Sequence, residues 1–411
     1  MTKKSAKLEE SKELEELAER YKKKIGNVDT IDKFPEKYNP WREKNPEEEN
    51  TQRKGKDIDE LLDDFFEALK NDNKEFSWLK IDEDLYNELK DKNGRAASID
   101  YGVPSHVRGD IENGTLFLCL VNPNIDVKVA MCEACQMKNK EDIKKYIFDA
   151  SPEGGILYKE IIELKGMKEL IGLENNRKDN EKTKIGYYTS NYFNAILENI
   201  NDSEKEYEDL KKAVKSFKKF TRTLENDDEN KPINYENINE KELENFVKIS
   251  KKVVNLEAFP FRSSSPNFYI KDEDVDACEK RFANCLVKST TDVSMLSARI
   301  IIWRILKYID SNKKNKVRPV FIFRRFNRAW KPSIINVLSE DYGVNDNEIE
   351  TILNEFHNKY FYTIGPKNQD NSLKLGKDLY QKDKNIYDQN NDEKKKEFKK
   401  LLKNALSLQK N

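Results

Sequence analysis

The chain is 411 residues long, with 37% charged and 36% hydrophobic residues and a formal net charge of −1. That length covers two or three domains, and so even a charge balance leaves only the distribution of charge to speak for a partner. The sequence holds no apolar run as long as a membrane span and no apolar stretch near its start that suits a signal peptide. Together with five cysteines, this predicts a protein of the reducing cytoplasm with no membrane association.

In chain order, residues 5–24 predict a Lys/Glu-rich helix whose few apolar residues, Leu8, Leu14, Leu17 and Tyr21, make a narrow stripe. The stripe suits docking on the body or a short coiled-coil seam. Residues 26–56, with Pro35, Pro40 and Pro46 among many charges, read as linker, from which Trp41 packs onto the body. Residues 57–70 predict a helix with Ile58, Leu61, Leu62, Phe65, Phe66 and Leu69 on one face, and a second helix is expected at 82–90. The glycines and proline of 94–114 punctuate a loop that enters the first strand, Leu116 to Val121, a short apolar run suited to burial on both faces.

Helical patterns follow at 155–173 and 184–200. Residues 201–245 are so densely charged that they read as a helical insertion or protruding hairpin. The second strand is expected at 252–261 (KVVNLEAFPF), helices at 274–286 and 294–309, the third strand at 318–323, helices at 333–339 and 348–360, a fourth strand at 361–364, and a charged helix at 392–408. This alternation predicts an α/β fold, a central parallel four-stranded sheet flanked by helices with charged helical extensions. The implied division is residues 1–56 as charged helix and linker, 57–365 as core, and 366–411 as a charged C-terminal helical tail.

In an open parallel sheet, ligands bind beyond the carboxyl ends of the strands. The three best strands end in Asn122-Pro123-Asn124, in Phe259-Pro260-Phe261-Arg262-Ser263 and in Arg324-Arg325-Phe326-Asn327-Arg328. Such a crevice offers amides, aromatic faces and guanidiniums, but no nucleophile paired with a base and no carboxylate pair. Asn-Pro is also a common turn opener, so the first tip is either a working loop or a plain turn. From Arg299 to Ser339 there are eleven Lys and Arg against one acid, Asp310. This imbalance suits phosphate binding, or a basic face paired with the acidic insertion. Arg324, Arg325 and Arg328 alternate with Phe323, Phe326 and Trp330, as single strands or flipped bases require.

The stretch LFLCLVNPN resembles the first motif of the uracil-DNA glycosylase superfamily, nearest its mismatch-specific branch, where a strand ends in Asn-Pro-Gly. VPSHVRGDIENG is similar to the approach to that strand, VVNLEAFPFRS to the central strand of the family, and SARIIIWRIL with VFIFRRFNRAW to the helix and last motif strand of bacterial relatives. The resemblance covers roughly residues 100–335 without the insertion. It implies a DNA glycosylase-like protein that binds DNA, double-stranded with a flipped base or single-stranded, and hydrolyses the N-glycosidic bond of an unusual or modified base, in a setting such as phage–host conflict.

On this resemblance Asn122 positions the attacking water and Pro123 and Asn124 shape the loop. Asn255 reads a base edge, Phe259 and Phe261 stack on the base, Arg262 binds substrate, and Arg324, Arg325, Asn327 and Arg328 hold nucleic acid. His106, in the loop before the first strand, is a candidate proton carrier or a structural histidine. Two departures stand out: Asn124 replaces Gly, and a bulky basic segment replaces the small loop that pinches the duplex. They leave open a catalytically degenerate module that binds nucleic acid, a nucleotide, or a protein through its charged extensions. Cys132 and Cys135 form a C-x-x-C, but Cys278 and Cys285 do not supply the second one of a zinc ribbon, so no metal or cofactor is assigned.

Overall fold

The computed structural model describes residues 12–25, 33–44, 55–71, 75–91, 97–123, 137, 139–162, 188, 192–193, 240–263, 277–311, 317–364, 375–376 and 400–407. These build an α/β fold around one seven-stranded sheet: β1 Val107–Arg108, β2 Leu116–Leu120, β3 Phe148–Asp149, β4 Val253–Glu257, β5 Val320–Phe323, β6 Phe361–Ile364 and β7 Leu375–Gly376. The strand order is β3-β1-β4-β2-β5-β6-β7. The four strands anticipated from the sequence lie side by side in the middle and run parallel, β4 to β2, β2 to β5 and β5 to β6. The expected count of four is corrected to seven, because β1, β3 and β7, which flank the central four, are two-residue strands too short to show a period of two. β1 and β7 pair antiparallel with β4 and β6.

The two faces of the sheet bury different partners. Phe117, Cys119, Val121, Val254, Leu256, Phe321, Phe323 and Phe361 point into the larger core. Its cover includes α1 Lys12–Ile25, α3 Ile58–Asn71, α8 Asp292–Asp310, α9 Lys331–Tyr342 and α10 Asp346–Lys359. Leu116, Leu118, Leu120, Val253, Val320, Ile322 and Tyr362 point the other way. They meet the helix 156–162, α6 Glu240–Ser250 and a helix at 400–406. The remaining helices are α2 Lys33–Tyr38, α4 Glu83–Leu89, α5 Lys140–Ile147 and α7 Ala277–Lys288.

Helix α8 starts where Thr291 accepts a hydrogen bond from the Ser294 amide. It is apolar on nearly every side because it is the middle of its layer. The charged arms are not separate from this body. Leu14, Leu17 and Tyr21 of α1 are buried against the larger core, as are Phe34, Tyr38 and Trp41 from the stretch that reads as linker. Leu401, Leu402, Ala405 and Leu406 of the C-terminal stretch are buried against the smaller core. Of the charged insertion, residues 201–239 lie outside the described residues, while 240–250 form α6, whose Phe246 and Ile249 are buried.

Gly109 lets the chain turn off β1. Its φ is +112°, and a Cβ there would stand 2.9 Å from the Val253 carbonyl oxygen of β4, so a side chain would be strained on both counts. Numbered by their order in the chain, the four central strands run 2-1-3-4. The direction of winding therefore reverses between β2 and β5, the place where open α/β sheets bind ligands.

Candidate functional site

At that switch point the strand register sets three tips in line. Leu120 pairs with Glu257, and Cys119 with Phe323. One residue on, the Arg324 amide donates to the Cys119 carbonyl at 2.8 Å, which brings Glu257 and Arg324 to either side of the end of β2. The loops beyond are sewn together: the amides of Ala258 and Phe259 donate to Leu120 and Val121, and the Ser263 amide donates to Pro123. The side chain of Asn122 closes this seam. Its Nδ2 donates to the Ser263 hydroxyl at 2.7 Å and to the Phe261 carbonyl at 3.2 Å, which sets the orientation of the amide.

Glu257 is the residue that sequence reading missed. It is 4% exposed, and its Oε2 has no hydrogen-bond partner among the described residues. Burial pushes its carboxyl up to about 8, opposed only by the positive charges of Arg262 and Arg324. Two residues earlier on the same face of β4, Asn255 is 2% exposed, and neither end of its amide has a partner among the described residues. A signal was present in the sequence: Asn and Glu alternate with apolar residues inside one strand, so both must occupy one face of a buried sheet.

Around this pair stand cations and tyrosines. Arg262 donates from Nε to the Val103 carbonyl at 2.7 Å and from Nη2 to the Tyr146 hydroxyl at 2.6 Å. Arg108, paired with Asn255 across the β1–β4 ladder, lays its guanidinium over the Tyr146 ring at 4.8 Å. Arg324 donates to the Tyr192 hydroxyl at 2.7 Å, and Tyr192 stacks on Tyr188. Lys159 faces the Asp149 carboxylate at 3.7 Å, and burial beside Arg108 lowers its ammonium to about 8.

The other sequence candidates separate. Phe259 and Phe261 are buried in the larger core, Phe261 edge-on to Phe282, so they pack the sheet instead of presenting faces to a base. His106 is fully buried. Its Nδ1 accepts from the Trp41 indole at 2.9 Å, which places the ring proton on Nε2, an atom with no partner among the described residues. With no charge among the described residues to offset its burial, its pKa falls to about 3, and a ring so held is poorly suited to carry protons at neutral pH.

Arg325, Asn327 and Arg328 are exposed on the turn after β5, and Arg324 is half-buried at the end of that strand. Arg325 takes a left-handed backbone, φ 58° and ψ 43°, which costs a non-glycine residue roughly 1–2 kcal/mol. It opens a wide turn, Phe326–Trp330, closed by the Lys331 amide on the Phe326 carbonyl. Such i→i+5 turns are rare and frequently stand at functional positions. Asn124, Cys132 and Cys135 lie outside the described residues. Glu43, Asp59 and Glu141 draw together elsewhere on the surface, where the Lys144 ammonium sits 2.8–2.9 Å from all three.

No known family model matches the chain, and neither the curated proteins nor the solved structures include a significant match.

Proposed function

We propose that the crevice beyond β2, β4 and β5 takes up a base swung out of DNA and hydrolyses its N-glycosidic bond. The observation that carries this reading is the meeting of Asn122, Glu257, Arg262 and Arg324 at the carboxyl end of the sheet, with Asn255 two residues deeper on the same face of β4 and an exposed basic turn following β5. Each part has a use in that reaction. Arg325 and Arg328 hold phosphates, as a protein that extracts a base from the stack requires. The amide of Asn255 matches a base edge, because it donates and accepts together. Asn122, fixed by Ser263 and Phe261, orients water toward the sugar carbon, where little nucleophilic push is needed once the base is departing.

The test is base release. Oligonucleotides carrying modified bases are incubated with the protein, and the free base is measured by mass spectrometry. Asn122→Ala should abolish release yet leave binding intact, since phosphate contacts dominate affinity. Asn122→Asp should retain some release, because a carboxylate also orients water. Full release by Asn122→Ala would remove that residue from the reaction. The second reading, a nucleic-acid-binding module without chemistry, is favoured by one feature: the bulky basic turn at 324–328 in place of a small pinching loop. It predicts salt-dependent binding with no base released from any substrate.

A further inference from the structure

Glu257 at the end of β4 and Asn255 two residues before it on the same face are both buried, and their unused hydrogen-bonding capacity is costly. An unpartnered buried polar group costs about 1–3 kcal/mol, so two adjacent ones are expected to have a ligand that satisfies them. We infer that Glu257 is the acid that protonates the leaving base as its N-glycosidic bond breaks; this rests on the glycosylase reading above and extends it to a class of substrate. The class is bases that leave poorly as anions, purines above all, with a ring nitrogen able to accept a proton.

Three features of the geometry support the assignment. The register puts Glu257 beside Leu120, two residues before Asn122 on the neighbouring strand, so the two Cα atoms are separated by roughly 8 Å, given strand spacing and rise. The acid and the water-positioning amide therefore stand at the ends of neighbouring strands. Among the described residues, the titratable groups that act on Glu257 or feel its charge are Arg262 from its own loop, Arg324 from the end of β5, the Tyr188 phenol from the covering layer and the Cys119 thiol of β2; Tyr192 is held beside them by Arg324 and Tyr188. No second carboxylate among the described residues acts on it. Burial keeps the carboxyl protonated at neutral pH, so it offers a proton where an ordinary glutamate would present a charge.

The step balances. The C1′–N bond breaks and its electron pair goes to the base nitrogen, while the Glu257 proton passes to the base, which leaves neutral. Water held at Asn122 forms the new C1′–O bond, and its proton returns to the Glu257 carboxylate.

The experiment compares two leaving groups in single-stranded oligonucleotides at pH 6.5. Hypoxanthine requires a proton to leave well, whereas 7-methylguanine already carries a positive charge and leaves neutral without one. Glu257→Gln should lose about a hundredfold or more in hypoxanthine release and change little with 7-methylguanine, and Glu257→Asp should recover part of the hypoxanthine rate. The wild type gives an independent reading: hypoxanthine release should slow in heavy water more than 7-methylguanine release does. Equal loss on both bases, undiminished hypoxanthine release by Glu257→Gln, or equal slowing in heavy water would overturn the role of Glu257 and leave the glycosylase reading standing. Release of neither base, nor of any other modified base, by the wild type would overturn both.

Discussion

His106 and Glu257 are each buried in their neutral forms, and they make the protein sensitive to pH in opposite directions. The unfolded chain binds a proton at His106 below about 6.5, whereas the native ring resists it down to about 3. Stability should therefore fall as pH drops from 6.5, by about 2 kcal/mol at pH 5. His106→Gln should lose that dependence, read as the shift of the urea midpoint between pH 7 and pH 5, while the Gln oxygen can still accept from Trp41. Glu257 does the reverse. Its native carboxyl keeps the proton up to about 8, whereas the unfolded one releases it near 4.5. Stability is whole below 4.5 and falls as pH rises, levelling above 8. Glu257→Gln should gain on the wild type by about 3–4 kcal/mol between pH 5 and pH 8, and a constant difference across that range would contradict a buried neutral acid. At this scale the sequence shows which residues stand at strand tips, but not which end up in water. Asn122 and Arg324 are placed by the ends of apolar runs. The burial of Phe259 and Phe261 depends on which face of the sheet each one occupies, and that is fixed only when β4 pairs with β2.

Helices and strands with a clear apolar period are the legible elements: α3, α8, α10 and the four central strands all stand where periodicity places them. The eight-residue α5 is illegible because Ile143 and Ile147 are its only fully buried apolar residues. Helix α1 is an intermediate case. Its stripe is narrow and its mean character charged, so the sequence leaves docking and coiled-coil pairing equally open. In the fold the stripe lies on the body, with Tyr21 stacked on Tyr342 of α9, Arg20 paired with Glu348 of α10, and Lys22 with Asp310 at the end of α8. The ion pairs are exposed or partly so and add little, which leaves the apolar stripe to hold the helix. Leu17→Ala should then destabilise the whole protein by about 2–4 kcal/mol in urea unfolding, as for a core leucine. Glu348→Ala, which breaks an exposed pair, should cost far less than Leu17→Ala. If both changes were equally mild, α1 would be an appendage and not a layer of the core.

At the scale of the molecule, a chain with a formal net charge of −1 presents a basic turn beyond the carboxyl end of β5, and that contrast is where the expectation of nucleic-acid binding can be tested hardest. Eleven cations between Arg299 and Ser339 are not equivalent. Arg299 is tied to Asp341 and Asp292, Lys307 to Glu112, and Arg304 to the Gly114 carbonyl, all within the body. The linear charge count therefore overstates the surface, because a sequence cannot show which cations the fold consumes internally. Arg325 and Arg328 remain exposed on the wide turn that follows β5, and they are the two whose loss should be felt by phosphates. Replacing both with alanine should weaken binding to every DNA sequence alike and reduce the slope of log affinity against log salt by about 2, since each neutralised phosphate contributes about 0.9 for duplex and 0.7 for single strands. Arg299→Lys, inside the body, should leave the slope where it is. Arg325→Gly is a sharper probe still. It removes a charge yet relieves a left-handed backbone, so affinity should drop while stability rises by up to about 1 kcal/mol. A fall in both would mean that the turn is held together by Arg325 itself, and an unchanged salt slope in the double variant would mean that the nucleic acid, if bound, approaches from another face.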